Sequence, residues 1–311
     1  MSSTKERGDW LVERERIPGV GASESAALFG LHPYLSAFAL FEKLVNPRPL
    51  TDEEIEEETD LQSFGHAIEP FLADWYERKT GRLVAAPHAP GLYRLRDKPF
   101  IFASPDRLLL KTDPSETDLE KWQVLQLKSA LYFKETEPIP DHWQVQEQHE
   151  MLCVGVDMAS FAILGGFRRR YMVNDIPRND AFCEILVETI ERFMFAVQAG
   201  SWDKFGADLD GSEVTTEALK RLYPKDTGVT IDLPRAAEKW TAQLEIVKRH
   251  MKTLKGREAQ LENSLRAAIG DATQGRLPDG TGWTYRASSR AGYIVEPCEY
   301  RTLRRTTKRL K

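Results

Sequence analysis

Three residues near the middle of the chain have the types and spacing for hydrolytic metal chemistry: Asp106, which follows Pro105, and Gln126 and Lys128 further on. The segment Phe100 to Leu110 reads as a strand broken at Pro105, and Lys121 to Ala130 reads as the next strand. Residues two apart on a strand share a face, so Gln126 and Lys128 point one way while Leu125 and Leu127 turn into the core. If the two strands pair, Asp106 stands beside that face. Its carboxylate offers hard oxygens to Mg²⁺, position 126 offers a further ligand, and Lys128 can orient an attacking water and offset charge developing on a phosphate. A lone Pro-Asp or Gln-X-Lys is common; the order and separation of the set carry the signal.

The elements around this set must hold it in place. Between Gly65 and Gly81, the residues Ile68, Phe71, Leu72, Trp75 and Tyr76 mark an amphipathic helix that stops at Gly81 and carries Glu69 beside its apolar stripe. Trp143 to Val154 reads as a helix packed through Trp143, Met151, Leu152 and Val154. Its polar face, with Gln146, His149 and Glu150, reads as solvent-facing, and His149 as either a structural histidine or a phosphate contact. Gly19 to Gly30 reads as a glycine-containing turn into a short helix with Ser23 as its N-cap, followed by a turn at His32 to Tyr34 and a helix over Ala37 to Leu44. With Arg14 and Arg16 upstream, that helix start is either an ordinary cap or a place to hold a phosphate. Ala159 to Leu164 reads as a strand, and Ile185, Val187, Ile190, Phe193, Phe195 and Val197 as a helix ending at Gly200.

Composition bounds the rest. The 311 residues, 41% hydrophobic and 29% charged, suffice for a full core. No stretch has the length and apolarity of a membrane span or a signal-peptide core, which points to a cytoplasmic protein with no membrane partner. Cys153, Cys183 and Cys298 lie too far apart for a disulfide framework or a clustered metal site. The net charge of −5 does not exclude a nucleic-acid partner, because much of the acid lies in one run, Asp52 to Asp60, that reads as a solvated surface, and local potential decides attraction. Arg168, Arg169 and Arg170 and the tail from Arg301 to Lys311 are candidate counterweights.

Residues 201–232 read as an irregular linker broken by Gly206, Gly211, Pro224 and Gly228. From Pro234 to Ile269 a seam of Ala237, Trp240, Leu244, Val247, Met251, Leu254, Leu261, Leu265 and Ala268 alternates at three and four residues, a helix of roughly 50 Å if Gly256 does not divide it. Such a seam packs on its own domain or docks a partner. Leu277 to Tyr285 and Gly292 to Val295 read as two strands ahead of the basic tail.

Trp10-Leu11, Arg16, Gly19-Val-Gly-Ala-Ser23, Gly65-X-X-X-Glu69, Thr80-Gly81, Ala103-Ser-Pro-Asp106, Gln126-Leu-Lys128 and Gln146-Glu-Gln-His149-Glu-Met151 occur in the order in which the YqaJ-like viral recombinases, the family of lambda exonuclease, carry them. The chain resembles that family over roughly residues 10–200. The resemblance implies a mixed α/β (α+β) fold with a PD-(D/E)XK nuclease core, a central mixed β-sheet flanked by helices, over residues 1–200. The linker and a C-terminal appendage of long helix and β-hairpin over residues 233–311 would follow. It further implies that Asp106, residue 126 and the Leu127 carbonyl hold Mg²⁺ (or Mn²⁺), that Glu69 serves a second metal, and that Lys128 is the catalytic lysine assisted by Gln146. Arg16, or Arg14, together with Ser23 would meet a 5′ phosphate. The implied activity is 5′ to 3′ resection of double-stranded DNA ends, with a single-strand annealing protein as partner and a homotrimer as the assembly. Where the family carries Glu, this chain carries Gln126, a neutral ligand that weakens metal affinity. Gln126 is a natural ligand, an isosteric replacement of the kind that traps a DNA complex, or the mark of a weakly active member; intact Asp106, Lys128, Glu69 and Gln146 favour the first two. A structure-selective endonuclease and a non-catalytic DNA-end binder are the rival readings.

Overall fold

The computed structural model describes residues 17–47, 60–87, 91–110, 123–130, 133, 137–165 and 170–289. The chain divides into two compact units, Met1–Leu222 and Tyr223–Lys311. The first is a mixed α/β unit built on two sheets.

In the first sheet the short strand β1 (Val20–Gly21) lies parallel to β4 (Lys98–Ala103), whose other edge pairs antiparallel with β3 (Tyr93–Leu95). Gly19 lets the chain enter β1 at close quarters, since a Cβ there would stand 2.3 Å from the Phe100 carbonyl oxygen. The second sheet has the order β2-β5-β6-β7-β8, formed by Val84–Ala85, Arg107–Leu109, Gln123–Ala130, Met158–Gly165 and Arg170–Pro177. Strand β6 runs antiparallel to β5 and parallel to β7. The expected break at Pro105 is where the chain leaves the first sheet as β4 and enters the second as β5.

Both faces of the second sheet are covered, so its central strands read as nearly continuous apolar runs. On one face Leu125, Leu127, Ala162 and Leu164 pack against Leu72 and Tyr76 of α3 (Asp60–Thr80). On the other, Val124 and Ala159 pack against Met151 of α4 (Asp141–Val154). Helix α3 starts earlier than the Gly65 of the sequence reading, and Phe71, placed in its stripe there, is 49% exposed. A third apolar cluster joins α2 (Ala37–Val45), α5 (Asp180–Ala199), Val20 and Ile101. In α5 the buried side chains include Leu186, Ile190, Phe193 and Met194, while Ile185 and Phe195 of the same expected helix face out.

The linker expected over 201–232 is not irregular in its first half. Trp202–Lys204 forms a 3-10 turn and α6 (Glu213–Leu222) a helix, and both contribute to the third cluster through Phe205 and Ala218. Thr215 donates from its Oγ1 to Ser36 Oγ at 2.7 Å, tying α6 to the N-cap of α2. Gly206 and Gly211 lie in the short irregular stretch between these packed pieces, so breaker residues alone do not mark a boundary here.

A polar tie locks α3 to the sheet. Arg82 forms a two-pronged ion pair with Asp175 of β8 at 2.8 and 2.6 Å. Tyr76 donates to Ser160 Oγ at 3.0 Å, and Ser160 donates to Asp175 at 2.6 Å. The Arg82 guanidinium, with help from Ser160, holds the Asp175 carboxyl below its ordinary value despite the opposing effect of burial. A lowered carboxylate stabilises the fold above the unfolded-state value of about 3.9 and loses that contribution as pH falls from there through the lower folded-state value. Asp175→Asn is therefore expected to cost about 1 kcal/mol in urea unfolding at pH 7, a value kept low by solvent screening of this partly exposed pair, with the gap to the parent protein closing below about pH 4.

In the second unit α7 (Ala236–Ile269) runs 34 residues without a break at Gly256, roughly 50 Å at the standard rise. Its seam stays largely exposed at Leu244, Met251, Leu254 and Leu261. The hairpin differs from the expected one: β9 (Gln274–Arg276) pairs with β10 (Gly282–Thr284), and Leu277 to Thr281, expected in a strand, form the turn. Pro278-Asp279-Gly280 dictates this, with Gly280 at φ 87° and Asp279 Oδ1 accepting from the Thr281 amide at 2.9 Å. The second expected strand, Gly292 to Val295, and the basic tail lie outside the described residues. Among the described residues no helix is long and apolar enough to cross a membrane.

Candidate active site

The site forms where β5 and β6 part. Their ladder begins with Arg107 opposite Leu125, so Asp106 stands just beyond it, level with Gln126 and Leu127. Asp106 Oδ2 accepts from Gln126 Nε2 at 2.6 Å and from the Leu127 amide at 2.8 Å. The strand alternation expected for residues 125 to 128 holds, and the Gln126 side of β6 is the side that α4 covers. Gln126 is consequently only 3% exposed.

Helix α4 completes the site. Gln146 accepts from Lys128 Nζ at 3.3 Å and donates to Gln126 Oε1 at 3.3 Å and to Glu150 Oε1 at 2.9 Å. Lys128 also lies over the Trp143 ring, 5.8 Å from its centroid, and that ring packs against Phe133 and Phe161. The ammonium is thus held by an amide oxygen and an aromatic face while remaining partly open to solvent. Asp106, Gln126, Leu127, Lys128 and Gln146, named separately from the sequence, form one hydrogen-bonded cluster.

The polar face of α4 corrects the sequence reading. Glu147, Gln148, His149 and Glu150 are all buried, because the helix is sandwiched between the second sheet and the layer of α1 (Ala22–Ser25) and β4. Gln148 anchors the far end by accepting from the Asn179 amide at 2.7 Å and donating to the Pro177 carbonyl at 2.9 Å. His149 lies near the Phe102 backbone, yet neither ring nitrogen makes a hydrogen bond of regular geometry. Burial pushes this imidazole down to about 3, so it is neutral at neutral pH and its reading as a phosphate contact fails on access. Glu147 and Glu150 are held above the ordinary carboxylate range, first by burial and then by neighbouring negative charge, from Glu150 at Glu147 and from Asp106 at Glu150. Both oxygens of Glu147 and Oε2 of Glu150 lack hydrogen-bond partners.

Other expected site residues are placed on surrounding elements. Glu69 is half-buried on α3, across the sheet from α4. Ser23 is exposed in the first turn of α1, which packs on α4 and β4. It is not the N-cap: Gly21 holds that place, and Glu24 Oε2 accepts the Gly21 amide at 3.1 Å while pairing with Lys43 at 3.1 Å. Arg14 and Arg16 lie outside the described residues, as do Arg168 and Arg169. His142, which the sequence reading passed over, sits one residue before Trp143, and burial with Lys128 as neighbour lowers its pKa.

The donors that face one another here are hard oxygens with an adjacent cation, a set suited to Mg²⁺ or Mn²⁺ and unsuited to soft thiophilic metals. Among the described residues no three His, Cys, Asp or Glu side chains make a ready cage, so a cation would need the Gln126 amide oxygen or a backbone carbonyl in its shell. The unpartnered buried carboxylate oxygens beside Asp106 fit such a cation, since buried charge of one sign is costly without a counter-charge.

The chain is similar to the alkaline exonuclease LHK-Exo of Laribacter hongkongensis, with 20% identity and a TM-score of 0.45 over 70% of this chain and 97% of that one. The same enzyme in complex with dAMP matches with 21% identity and a TM-score of 0.42 over the same shares. A phage-related exonuclease of Haemophilus somnus matches with 12% identity and a TM-score of 0.31, over 60% of this chain and 95% of that one. No curated protein matches the chain. The sequence family described as the YqaJ-like viral recombinase domain matches residues 9–157, the span that contains Glu69, Asp106, Gln126, Lys128 and Gln146. Over residues 9–157 the chain is similar to the YqaJ-like viral recombinase domain.

Proposed function

We propose that the chain is a Mg²⁺-dependent DNA exonuclease, also served by Mn²⁺, that resects one strand of linear double-stranded DNA in the 5′ to 3′ direction. The observation that carries this reading is the hydrogen-bonded cluster of Asp106, Gln126, Lys128 and Gln146 at the parting of β5 and β6. The domain match and the exonuclease names of the similar structures support it.

Asp106, the Gln126 amide oxygen and the Leu127 carbonyl would hold the ion, with Glu69 available to a second. When bound, the ion supplies a Lewis acid at the phosphoryl oxygen and lowers the pKa of water. Lys128 orients the attacking water in line with the scissile bond and offsets charge on the pentacoordinate phosphorus. Gln146 fixes the ammonium by accepting a hydrogen bond from it. Ser23, with Arg16 or Arg14, binds the 5′ phosphate of the end. The 3′ overhang passes to a single-strand annealing protein, and the enzyme acts as a cytoplasmic homotrimer in a bacterial or phage-infected cell.

The test is nucleotide release from a linear duplex and from a covalently closed circle of the same sequence, each with Mg²⁺ or EDTA. Release from the linear form alone, abolished by EDTA and enhanced by a 5′ phosphate, is expected. Cutting of the closed circle would replace the exonuclease by a structure-selective endonuclease, and binding of ends without Mg²⁺-dependent release would leave an end-binding protein.

A further inference from the structure

We propose that Glu150 of α4 supplies the carboxylate that position 126 lacks, so that a divalent cation is held by Asp106, the Gln126 amide oxygen and Glu150. The inference deepens the nuclease reading and rests on it only for the identity of the site. Position 126 carries an amide, and its Nε2 donates to Asp106 in place of the repulsion a second carboxylate there would bring. The Gln126 and Glu150 Oε1 atoms are bridged by a single nitrogen, Nε2 of Gln146, at 3.3 and 2.9 Å. Glu150 therefore reaches the same side of the cluster that a glutamate at 126 would occupy.

The second, independent observation is the state of its other oxygen. Glu150 is 1% exposed, and Oε2 has no hydrogen-bond partner. A buried carboxylate is normally paired, bonded or metal-coordinating, and an unmade bond costs more than a made one contributes. A cation between Asp106 and Glu150 removes that cost and restores the two carboxylates that a hard divalent ion needs. Lys128 is already engaged by Gln146 and Trp143. The Gln146 amide must rotate out of the gap and the Gln126 amide must turn its oxygen toward Asp106, movements within the cluster that leave Lys128 on the same face of β6.

The experiment is calorimetric titration of Mn²⁺ into the full-length chain without DNA, with folding checked by circular dichroism. Glu150→Gln is expected to weaken Mn²⁺ binding by at least about tenfold, and the exchange Gln126→Glu/Glu150→Gln to recover it. Unchanged affinity in Glu150→Gln, failure of the folded exchange variant to recover, or an equal loss in Glu147→Gln would each overturn the proposal. If Glu150→Gln does not fold, Glu150→Asp is read instead: weaker binding upholds it and unchanged binding overturns it. Wild-type nuclease activity is assayed in parallel. Nuclease activity with Glu150-independent Mn²⁺ binding sinks this inference alone, whereas Glu150-dependent binding without DNA cleavage upholds it and sinks the nuclease.

Discussion

Replacing Lys128 by Met is expected to slow nucleotide release from linear duplex DNA by about a hundred- to a thousand-fold, the usual cost of losing one preorganised donor at a developing oxyanion. The methionine keeps the length of the side chain and its contact with Trp143, so packing around Phe133 and Phe161 survives. What disappears is the charge and the hydrogen bond that Gln146 accepts. Melting temperature is expected to stay within a few degrees of the parent, separating a catalytic loss from an unfolded one. A variant that keeps more than about a tenth of the parent rate would remove Lys128 from the chemistry.

Gln126→Glu is expected to act in the opposite sense, on stability more than on rate. The amide now donates to Asp106 at 2.6 Å in a pocket where residue 126 is 3% exposed. A carboxylate there loses the donor and places like charges side by side, with Glu150 a further acid on the same amide bridge. Urea unfolding in EDTA at pH 8 should show a loss of roughly 3 kcal/mol, reduced at pH 5, where one proton can be shared, and recovered by millimolar Mg²⁺. Nuclease rate in Mg²⁺ is expected to change by less than about tenfold, because Glu150 already contributes a carboxylate. A rise of a hundredfold or more would instead mark Gln126 as a disabling replacement in an otherwise complete site.

Much of this site can be read from the chain because its parts lie on regular elements. The break at Pro105, the two-residue alternation of Gln126 and Lys128, and the spacing from Ile68 to Tyr76 are local patterns, and local patterns survive into the fold. The period of three and four residues after Pro234 likewise gives α7 its length. The burial of α4 could not be read in this way. A helix lying between two layers is surrounded by protein, so Glu147, His149 and Glu150 are buried without any apolar stripe to announce it. Its only signal is the lack of a stripe on a helix set between core strands. The turn residues of 201–222 misled for a related reason: breakers mark where the chain turns, and Phe205, Thr215 and Ala218 show that it turns against the core. In the hairpin the apolar Leu277 and Trp283 suggested strands, but Pro278, Asp279 and Gly280 have stronger backbone demands.

Nuclease chemistry at the parting of β5 and β6 requires a divalent ion there. Anomalous scattering from crystals of the full chain grown with Mn²⁺ addresses it directly. A peak bonded to an Asp106 carboxylate oxygen, within coordination distance of the Gln126 or Leu127 oxygen and beside the Lys128 ammonium, is the expected result. A fully occupied peak elsewhere, with Asp106 still bonded to Gln126 Nε2 and the Leu127 amide, would contradict it.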